Sequence, residues 1–403
     1  MADTFTELFA EYDCRIVIEP SLIAMAKTLV EGIGFGGRQL LAVCDRATHA
    51  ALGERIVREL GARIFLLGGV PHADMTNVEV IRSHKADALI AIGGGTISDL
   101  CKYASFLDGR SYVVFPTAPS MNGYFSANAS ITVNDHKLSL PAHLPKGIFC
   151  DLGVLANAPR RLVLSGLGDS LCRPTAQADW LLSHLLFNTP YDPTPFSLLA
   201  PYEKELFFHS GKLLSADVKV TELLMQTLLV SGLGMVIAGG SYPASQGEHL
   251  IAHTMEMKHG ATLPQTYHGE QIGVCTLMMV EIQQRMLSQR LHLQKLNNPD
   301  EIIAGYFGGA LSASVSKSYQ DKRTLYDHCD AINERLKSED SAIRDAIHAV
   351  SLPETLLRKV LVQAQAPAGA HDLGWKENDM QQAIIHAKFI RNRFTFLDIL
   401  GNN

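Results

Sequence analysis

The first part of the chain carries short apolar runs at residues 14–18, 40–44, 63–67, 88–92, 111–115 and 147–150. Each reads as a strand, residues 14–18 as an edge strand, and the run at 88–92 is long enough for a buried strand and too short for a helix. Helical patterns lie between them over residues 21–30, 47–60 and 77–84, and a further helix runs on from Thr96. Gly61 closes the 47–60 helix, as glycine does at many helix ends. Strands alternating with helices predict a parallel sheet with right-handed crossovers. Residues 130–133 and 136–140, joined by Asn134-Asp135, read as a hairpin. From about Pro159 the period changes. Helical patterns dominate at 169–186, 203–209, 218–237, 249–257 and 271–289, and again at 301–316, 325–336, 342–350, 353–364 and 379–392. The proline-rich stretch 190–201 reads as a loop between helices. The shift divides the chain into an α/β domain at residues 1–159 and an all-α domain at 160–403.

Composition narrows the functional classes. With 403 residues, 47% hydrophobic and 19% charged, the chain can bury a large core, and two domains fit its length. A net charge of −6 provides no long-range attraction to nucleic acid or to an anionic membrane. No uninterrupted apolar run reaches membrane-spanning length. The start, Met1-Ala2-Asp3-Thr4-Phe5, lacks the basic-then-apolar order of a signal peptide. The seven cysteines are scattered, odd in number and form no C-x-x-C pair, which argues against a disulfide framework and a thiolate zinc site. They read as small buried hydrophobes, and the chain is expected to be soluble and cytoplasmic.

Two stretches carry candidate chemistry. In the first, the run at 88–92 ends in Gly93-Gly94-Gly95, after which Thr96 can cap a helix bearing Asp99 and Lys102. A strand, a glycine turn and a helix start leave backbone N–H groups and a positive helix end facing outward, which suits a phosphate or pyrophosphate. The ligand-free alternative is a tight strand-to-helix turn. Ligands in parallel sheets sit beyond the carboxyl ends of the strands, where Asp45, the glycine turn and residues 116–123 would converge. The glycine-rich run 32–37 only superficially resembles a dinucleotide fingerprint, since it precedes a strand where a fingerprint follows one, and it reads as a loop.

The second is a set of polar residues in the helical half. Gly166-Leu167-Gly168-Asp169 places a carboxylate at a predicted helix start, where an N-cap is the bland explanation. Glu248-His249 is followed one helical turn later by His253, and Tyr267-His268-Gly269-Glu270 opens another helix. One Asp and two His from three helices would give a three-ligand site with an open position, as in catalytic zinc centres. Iron(II) sites use the same donors, so the set does not identify the metal. Convergence of His249 and His268 requires a turn between them, which Leu263-Pro264 supplies. A cleft between a nucleotide-binding half and a metal-binding half would suit hydride transfer.

The ordered set of motifs resembles the iron-containing alcohol dehydrogenase and dehydroquinate synthase superfamily. Gly93-Gly94-Gly95-Thr96-Ile97-Ser98-Asp99 with Lys102 is similar to its G-G-G-S-x-x-D-x-x-K run. Further matches narrow the likeness to the glycerol-1-phosphate dehydrogenase branch. They are Pro116-Thr117-Ala118-Pro119-Ser120, Gly168-Asp169, Ala176 to Asp179-Trp180, Pro243-Ala244-Ser245 to Glu248-His249, His268-Gly269-Glu270-Gln271, and Arg391 to Asp398. The resemblance implies a Rossmann-like N-terminal domain and a helical C-terminal domain of the dehydroquinate synthase type. It implies Asp169, His249 and His268 as metal ligands, with His253 as a neighbour binding water or substrate. Gly94, Gly95, Thr96, Asp99, Lys102, Thr117 and Ser120 would surround the pyrophosphate and nicotinamide side. Asp45 would face the adenosine ribose, and a carboxylate there favours NAD over NADP. Zinc is the first expectation for the metal, with iron(II) or nickel(II) as alternatives.

The departures from the branch fall in its substrate region. Met121-Asn122 stands where the branch has His-Asp or Met-Asp, so Asn122 can hydrogen-bond but carries no charge. Ser241-Tyr242-Pro243-Ala244-Ser245 replaces Ser-Arg-Pro-Ala-Ser, and Tyr242 lacks the arginine's bidentate fork. Arg173 stands where a lysine is usual after Gly-Asp and retains one phosphate-capable cation. The leading expectation is a metal-dependent, NAD(P)-linked dehydrogenase for a small polyol phosphate such as glycerol 1-phosphate or its ketone. The alternatives are a redox-neutral sugar-phosphate cyclase or lyase and a non-catalytic nucleotide-binding relative. A small-molecule substrate and a homo-oligomer, dimer or larger, are expected, with no nucleic acid and no membrane insertion.

Overall fold

The computed structural model describes residues 2–260 and 262–400. It divides into two compact units, one made of residues 1–133, 137–167 and 198–240 and the other of 134–136, 168–197 and 241–403.

The first unit is built on a parallel sheet of six strands in the order β1-β8-β5-β4-β2-β3. These are β1 Arg15–Glu19, β2 Leu40–Asp45, β3 Arg63–Leu67, β4 Ala88–Gly93, β5 Ser111–Pro116 and β8 Gly147–Asp151. The hairpin is β6 Asn128–Val133 paired with β7 His136–Pro141. Every predicted strand is present; the inner strands β2, β4, β5 and β8 are buried on both faces and so read as continuous apolar runs, while the edge strands β1 and β3 are partly exposed. Leu41, Val43, Leu89, Ala91, Tyr112 and Val114 join the core on one face, while Ala42, Cys44, Ile90, Ile92, Val113 and Phe115 join the other. The chain runs from β2 outward to β3 and then returns to lay β4 on the other side of β2. That reversal opens the switch point at which ligands enter such sheets, between the carboxyl ends of β2 and β4. The Val218–Ile237 helix contributes Met225, Leu229, Val230 and Leu233 to the same core. It is long and apolar enough to cross a membrane, yet 72% of its apolar window is buried inside the protein.

The second unit is helical, and a glycine crossing sets its geometry. A Cβ on Gly168 would come within 2.1 Å of the Gly269 carbonyl oxygen, and one on Gly273 within 3.1 Å of the Gly168 Cα. Two helices, Arg160–Ser170 and His268–Leu287, therefore touch backbone to backbone there. This contact brings Asp169, next to Gly168, beside His268, the first residue of its helix.

Four local expectations are corrected. Asp169 lies in the last turn of the Arg160–Ser170 helix rather than at a helix start, because the helix begins just after Pro159 and runs through both glycines. Gly94, not Thr96, is the N-cap of the Gly95–Asp108 helix, and Thr96 sits in its first turn. The proline-rich stretch is loop only through Pro193, since the Thr194–His209 helix accepts Pro195 in its first turn and Pro201 inside. The 32–37 run connects to β2 but is not all loop, since residues 32–35 lie in a helical turn, Glu31–Phe35, kinked at Ile33 and Gly34, with Gly34 and Gly37 at positive φ. All seven cysteines are buried free thiols.

Gly168→Ala should separate the two helices. Overpacking against a backbone oxygen is expected to cost about 3 kcal/mol or more, read as a lower denaturant midpoint with reduced metal content. Gly273→Ala, which meets only a Cα and the Leu361 side chain, should cost less.

Candidate active site

In the first unit, the glycine turn lies at the carboxyl end of β4. A Cβ on Gly93 would lie 2.6 Å from the Ile97 side chain, and one on Gly95 would lie 2.7 Å from the Met121 sulfur. Gly93 therefore has no room for a side chain where the chain folds back into the helix, and Gly95 makes space for the Met121 side chain. Gly94, Gly95 and Thr96 keep partial exposure, so the helix N-terminus is open to a ligand. β5 pairs Pro116 with Gly93 and leads directly into Thr117 and Ser120. The Ser120 hydroxyl is 3.2 Å from the Tyr124 hydroxyl, which donates to the Ala118 carbonyl at 2.7 Å, and this fixes the segment. Asp45 ends β2, where one carboxylate oxygen accepts from the Thr48 backbone N–H (2.7 Å) and hydroxyl (3.0 Å) in a capping box. Its position is therefore set before any nucleotide arrives.

Asp99 and Lys102 are placed differently from the other residues of the motif. The Lys102 side chain is fully buried and donates to the Gly123 carbonyl (2.6 Å), the Ser126 hydroxyl (3.0 Å) and the Asn128 carbonyl (3.0 Å). Asp99 lies 3.4 Å from that ammonium and accepts from the Ser130 N–H at 3.2 Å. Burial lowers the lysine's pKa and raises that of Asp99, each opposed by the charge of the other. The pair braces residues 123–130, including the turn that follows buried Asn122.

In the second unit, Asp169, His249 and His268 offer ligand atoms that all lie within 4.8 Å of one another. The nearest oxygen of Asp169 is 3.8 Å from His249 Nε2 and 4.0 Å from His268 Nε2. Ligands at tetrahedral zinc sit about 3.3 Å apart, so a small inward movement brings the three to coordinating distance. Side-chain exposure is 1% for Asp169 and 6% for His249 but 32% for His268, which leaves one open side. His268 is held at its helix start by the predicted capping arrangement, with Glu270 accepting from the Tyr267 N–H at 2.8 Å.

His249 Nδ1 bonds to Glu248 Oε1 at 2.9 Å, which directs Nε2 toward Asp169. Glu248 is itself fixed by the Gln246 N–H (2.7 Å) and the Thr175 hydroxyl (2.8 Å). Burial acts to raise its pKa, but the interaction with His249 and the backbone hydrogen bonds together outweigh it, and the net shift is downward. The hydrogen bond from Nδ1 to Glu248 holds His249 in the tautomer whose Nε2 is left to take a metal. Cys172 could also approach His249, but its thiol is engaged with the Asp169 and Ala244 carbonyls.

His253 stacks on His268 at 5.4 Å and lies 5.8 Å from His249 between ring centres. Of the residues expected to meet substrate, Arg173 bonds to Gln177 Oε1 at 2.9 Å, and Tyr242 is 40% exposed and stacked on Trp180. The sequence reading missed three further groups. Arg391 donates to His253 Nδ1 at 3.1 Å, Arg393 lies 4.8 Å above the Tyr242 ring, and Asp179 anchors the chain around both. The Arg-x-Arg spacing was visible as a motif, but no local pattern connects it with histidines so far earlier in the chain.

A family model described as iron-containing alcohol dehydrogenase matches residues 17–159. Glycerol-1-phosphate dehydrogenase [NAD(P)+] of Pyrococcus furiosus is 30% identical over 282 residues, covering 67% of this chain and 78% of its own length. The protein of the same name from Bacillus subtilis is 28% identical over 379 residues, covering 91% of this chain and 86% of its own. Among solved structures, the NADH-dependent butanol dehydrogenase A of Thermotoga maritima superposes with a TM-score of 0.62 at 14% identity, covering 95% of this chain and 90% of that one. The last likeness bears on the fold, and the first three on descent. The chain belongs to the iron-containing alcohol dehydrogenase family, within its glycerol-1-phosphate dehydrogenase branch.

Proposed function

We propose that this chain interconverts a small polyol phosphate and its ketone, glycerol 1-phosphate and dihydroxyacetone phosphate, with NAD(P) as the hydride carrier. The observation that carries the reading is the Asp169, His249 and His268 cluster, with Glu248 orienting His249. One carboxylate and two neutral imidazoles with an open side fit a divalent metal, zinc first among the candidates and iron(II) or nickel(II) after it. Such a metal supplies Lewis acidity to a carbonyl or alkoxide oxygen, and the nicotinamide supplies or accepts the hydride.

The chain's own residues divide the remaining work. Gly94 and Gly95 let the pyrophosphate approach the backbone N–H groups at the start of the Gly95–Asp108 helix, with Thr96, Thr117 and Ser120 adding hydroxyls. Asp99 and Lys102 act by holding the 123–130 segment, in keeping with their buried contacts. Asp45 accepts from the adenosine ribose through the carboxylate oxygen that its capping box leaves over. Because Arg391 donates to His253 Nδ1, a neutral His253 carries its proton on Nε2. That N–H can hydrogen-bond and orient the substrate oxygen, while the proton that completes the product alcohol comes from water. Asn122 and Arg173 are the remaining candidates for substrate hydroxyl and phosphate contacts.

Metal-loaded protein mixed with NADH and dihydroxyacetone phosphate should consume NADH in a phosphate-dependent manner, followed by absorbance beside a dihydroxyacetone control. Unchanged rates after chelation would overturn the metal role. His268→Ala should lower turnover by about 10²- to 10³-fold or more while NADH still binds, as checked by fluorescence titration. Asp45→Asn keeps the cap and removes the charge that repels a 2′-phosphate. It should shift the NADPH-to-NADH ratio of kcat/KM about tenfold toward NADPH, equivalent to about 1.4 kcal/mol. An unchanged ratio would remove Asp45 from the ribose site.

A further inference from the structure

Arg391 enters that reading only through its hydrogen bond to His253, and Arg393 has no part in it. Arg391 and Arg393 are packed among protein atoms yet still reached by solvent, and burial lowers the pKa of both. Arg391 donates to the Ser245 hydroxyl (3.3 Å) and to His253 Nδ1 (3.1 Å). Arg393 donates to the Ser241 hydroxyl (2.7 Å) and to the carbonyls of Ser241 and Ser245, and its guanidinium lies 4.8 Å above the Tyr242 ring. Among the described residues, neither guanidinium forms an ion pair with a carboxylate. His136, which borders Arg391, is buried and held neutral, so it does not offset the charge either.

We propose that Arg391 and Arg393 form the phosphate subsite of this centre, with Tyr242 as the shelf that orients Arg393. Two positive charges held close together with no carboxylate in ion-pair contact, Glu248 acting on Arg393 only from a distance, are costly unless an anion completes them. Burial, and after it the charge of Arg393, lowers the pKa of Arg391 to about 9, and burial lowers that of Arg393 against the opposing charges of Tyr242 and Glu248. A dianion with several acceptor oxygens answers both guanidiniums at once through forked hydrogen bonds. The location fits such a ligand. Arg391 touches His253, whose ring stacks on His268, so the cationic pair stands one imidazole away from the metal-binding cluster. A molecule whose reacting oxygen meets the cluster could reach the arginines with a phosphate a few bonds further along.

The support behind the pair is rigid. The Lys322 ammonium donates to the Arg393 carbonyl at 2.9 Å and pairs with Asp398 at 2.9 Å. Asp179 accepts from the Phe396 N–H at 3.0 Å, three residues beyond Arg393. Trp180 stacks under Tyr242 at 5.6 Å, so the aromatic shelf is itself backed. Tyr242 occupies the place where the branch motif has arginine. Its ring carries the guanidinium of Arg393 by cation–π contact, which restores a cation to that place from a distant part of the chain.

The subsite rests on the cluster being a metal centre for a polyol phosphate, and the test separates the two claims. Wild type, Arg393→Gln, Arg393→Lys and Tyr242→Leu would be assayed as metal-loaded protein with NADH, using dihydroxyacetone phosphate and dihydroxyacetone in parallel. Inorganic phosphate would also be titrated calorimetrically into each, before and after chelation, to separate phosphate on the arginines from phosphate on a metal. Arg393→Gln should raise the KM for dihydroxyacetone phosphate about tenfold or more and weaken phosphate binding alike, with a far smaller loss on dihydroxyacetone. Arg393→Lys should recover part of this, and Tyr242→Leu, at a half-exposed position, should show a several-fold loss of the same pattern. Equal losses on both substrates with phosphate binding unchanged would mean that the arginines only support the 241–245 turn, and would overturn the proposal. If wild type reduces neither substrate, the function reading fails. The phosphate titration then decides the subsite by itself: weaker binding in Arg393→Gln sustains it, and equal binding refutes it.

Discussion

The second unit depends on one buried carboxylate. Asp179 accepts from the Gly247 N–H at 3.0 Å, the Phe396 N–H at 3.0 Å and the Gln283 side-chain amide at 3.2 Å. These three donors belong to the start of the helix bearing His249 and His253, to the segment bearing Arg391 and Arg393, and to the helix that begins with His268. A single enclosed group thus fixes the relative positions of the histidines and the arginines. Its pKa is pushed up to about 8, first by burial and then by the charge of nearby Glu248, while the three donors pull it back. A Cβ on Gly247 would meet the Asp179 carboxylate at 2.8 Å, so the helix can start there only because the residue is glycine. The Gly168–Gly269 crossing then adds Asp169, and the cluster is complete.

Much of this was legible along the chain, for physical reasons that differ between the two units. Strands buried on both faces announce themselves as apolar runs, and every strand of the parallel sheet lies where its run predicts. The glycine turn and the Tyr267 to Glu270 cap were readable because both are local events, settled within one turn of chain. Asp169 was identified as a ligand candidate for a partly wrong reason. Its flanking glycines serve a helix crossing, not a helix start, and a crossing involves residues a hundred positions apart. Lys102 shows the same limit, since its position in a glycine-rich motif gives no hint that its ammonium is enclosed by the carbonyls of Gly123 and Asn128. Glu248 could have been found by asking what would orient His249, because a metal-binding histidine needs a partner for its other nitrogen.

Charge is sorted within the second unit in a way that composition conceals. The overall balance is mildly acidic, yet the carboxylates near the cluster, Asp169 and Glu248, gather around His249, and the guanidiniums of Arg391 and Arg393 gather around Ser241 and Ser245. His253 stands between the two groups, beside His268 on one side and bonded to Arg391 on the other. Had Arg391 been paired with Glu248, both charges would have been neutralised internally and neither a cation nor an anion would have had a reason to bind. Holding them apart requires a rigid frame, because flexible side chains of opposite sign would close on each other. Asp179, the Lys322–Asp398 pair and the Tyr242–Trp180 stack supply that frame. The polarity that results, a cation site and an anion site separated by the His253 ring, is the complement of a molecule with an electron-rich oxygen near one end and a phosphate at the other.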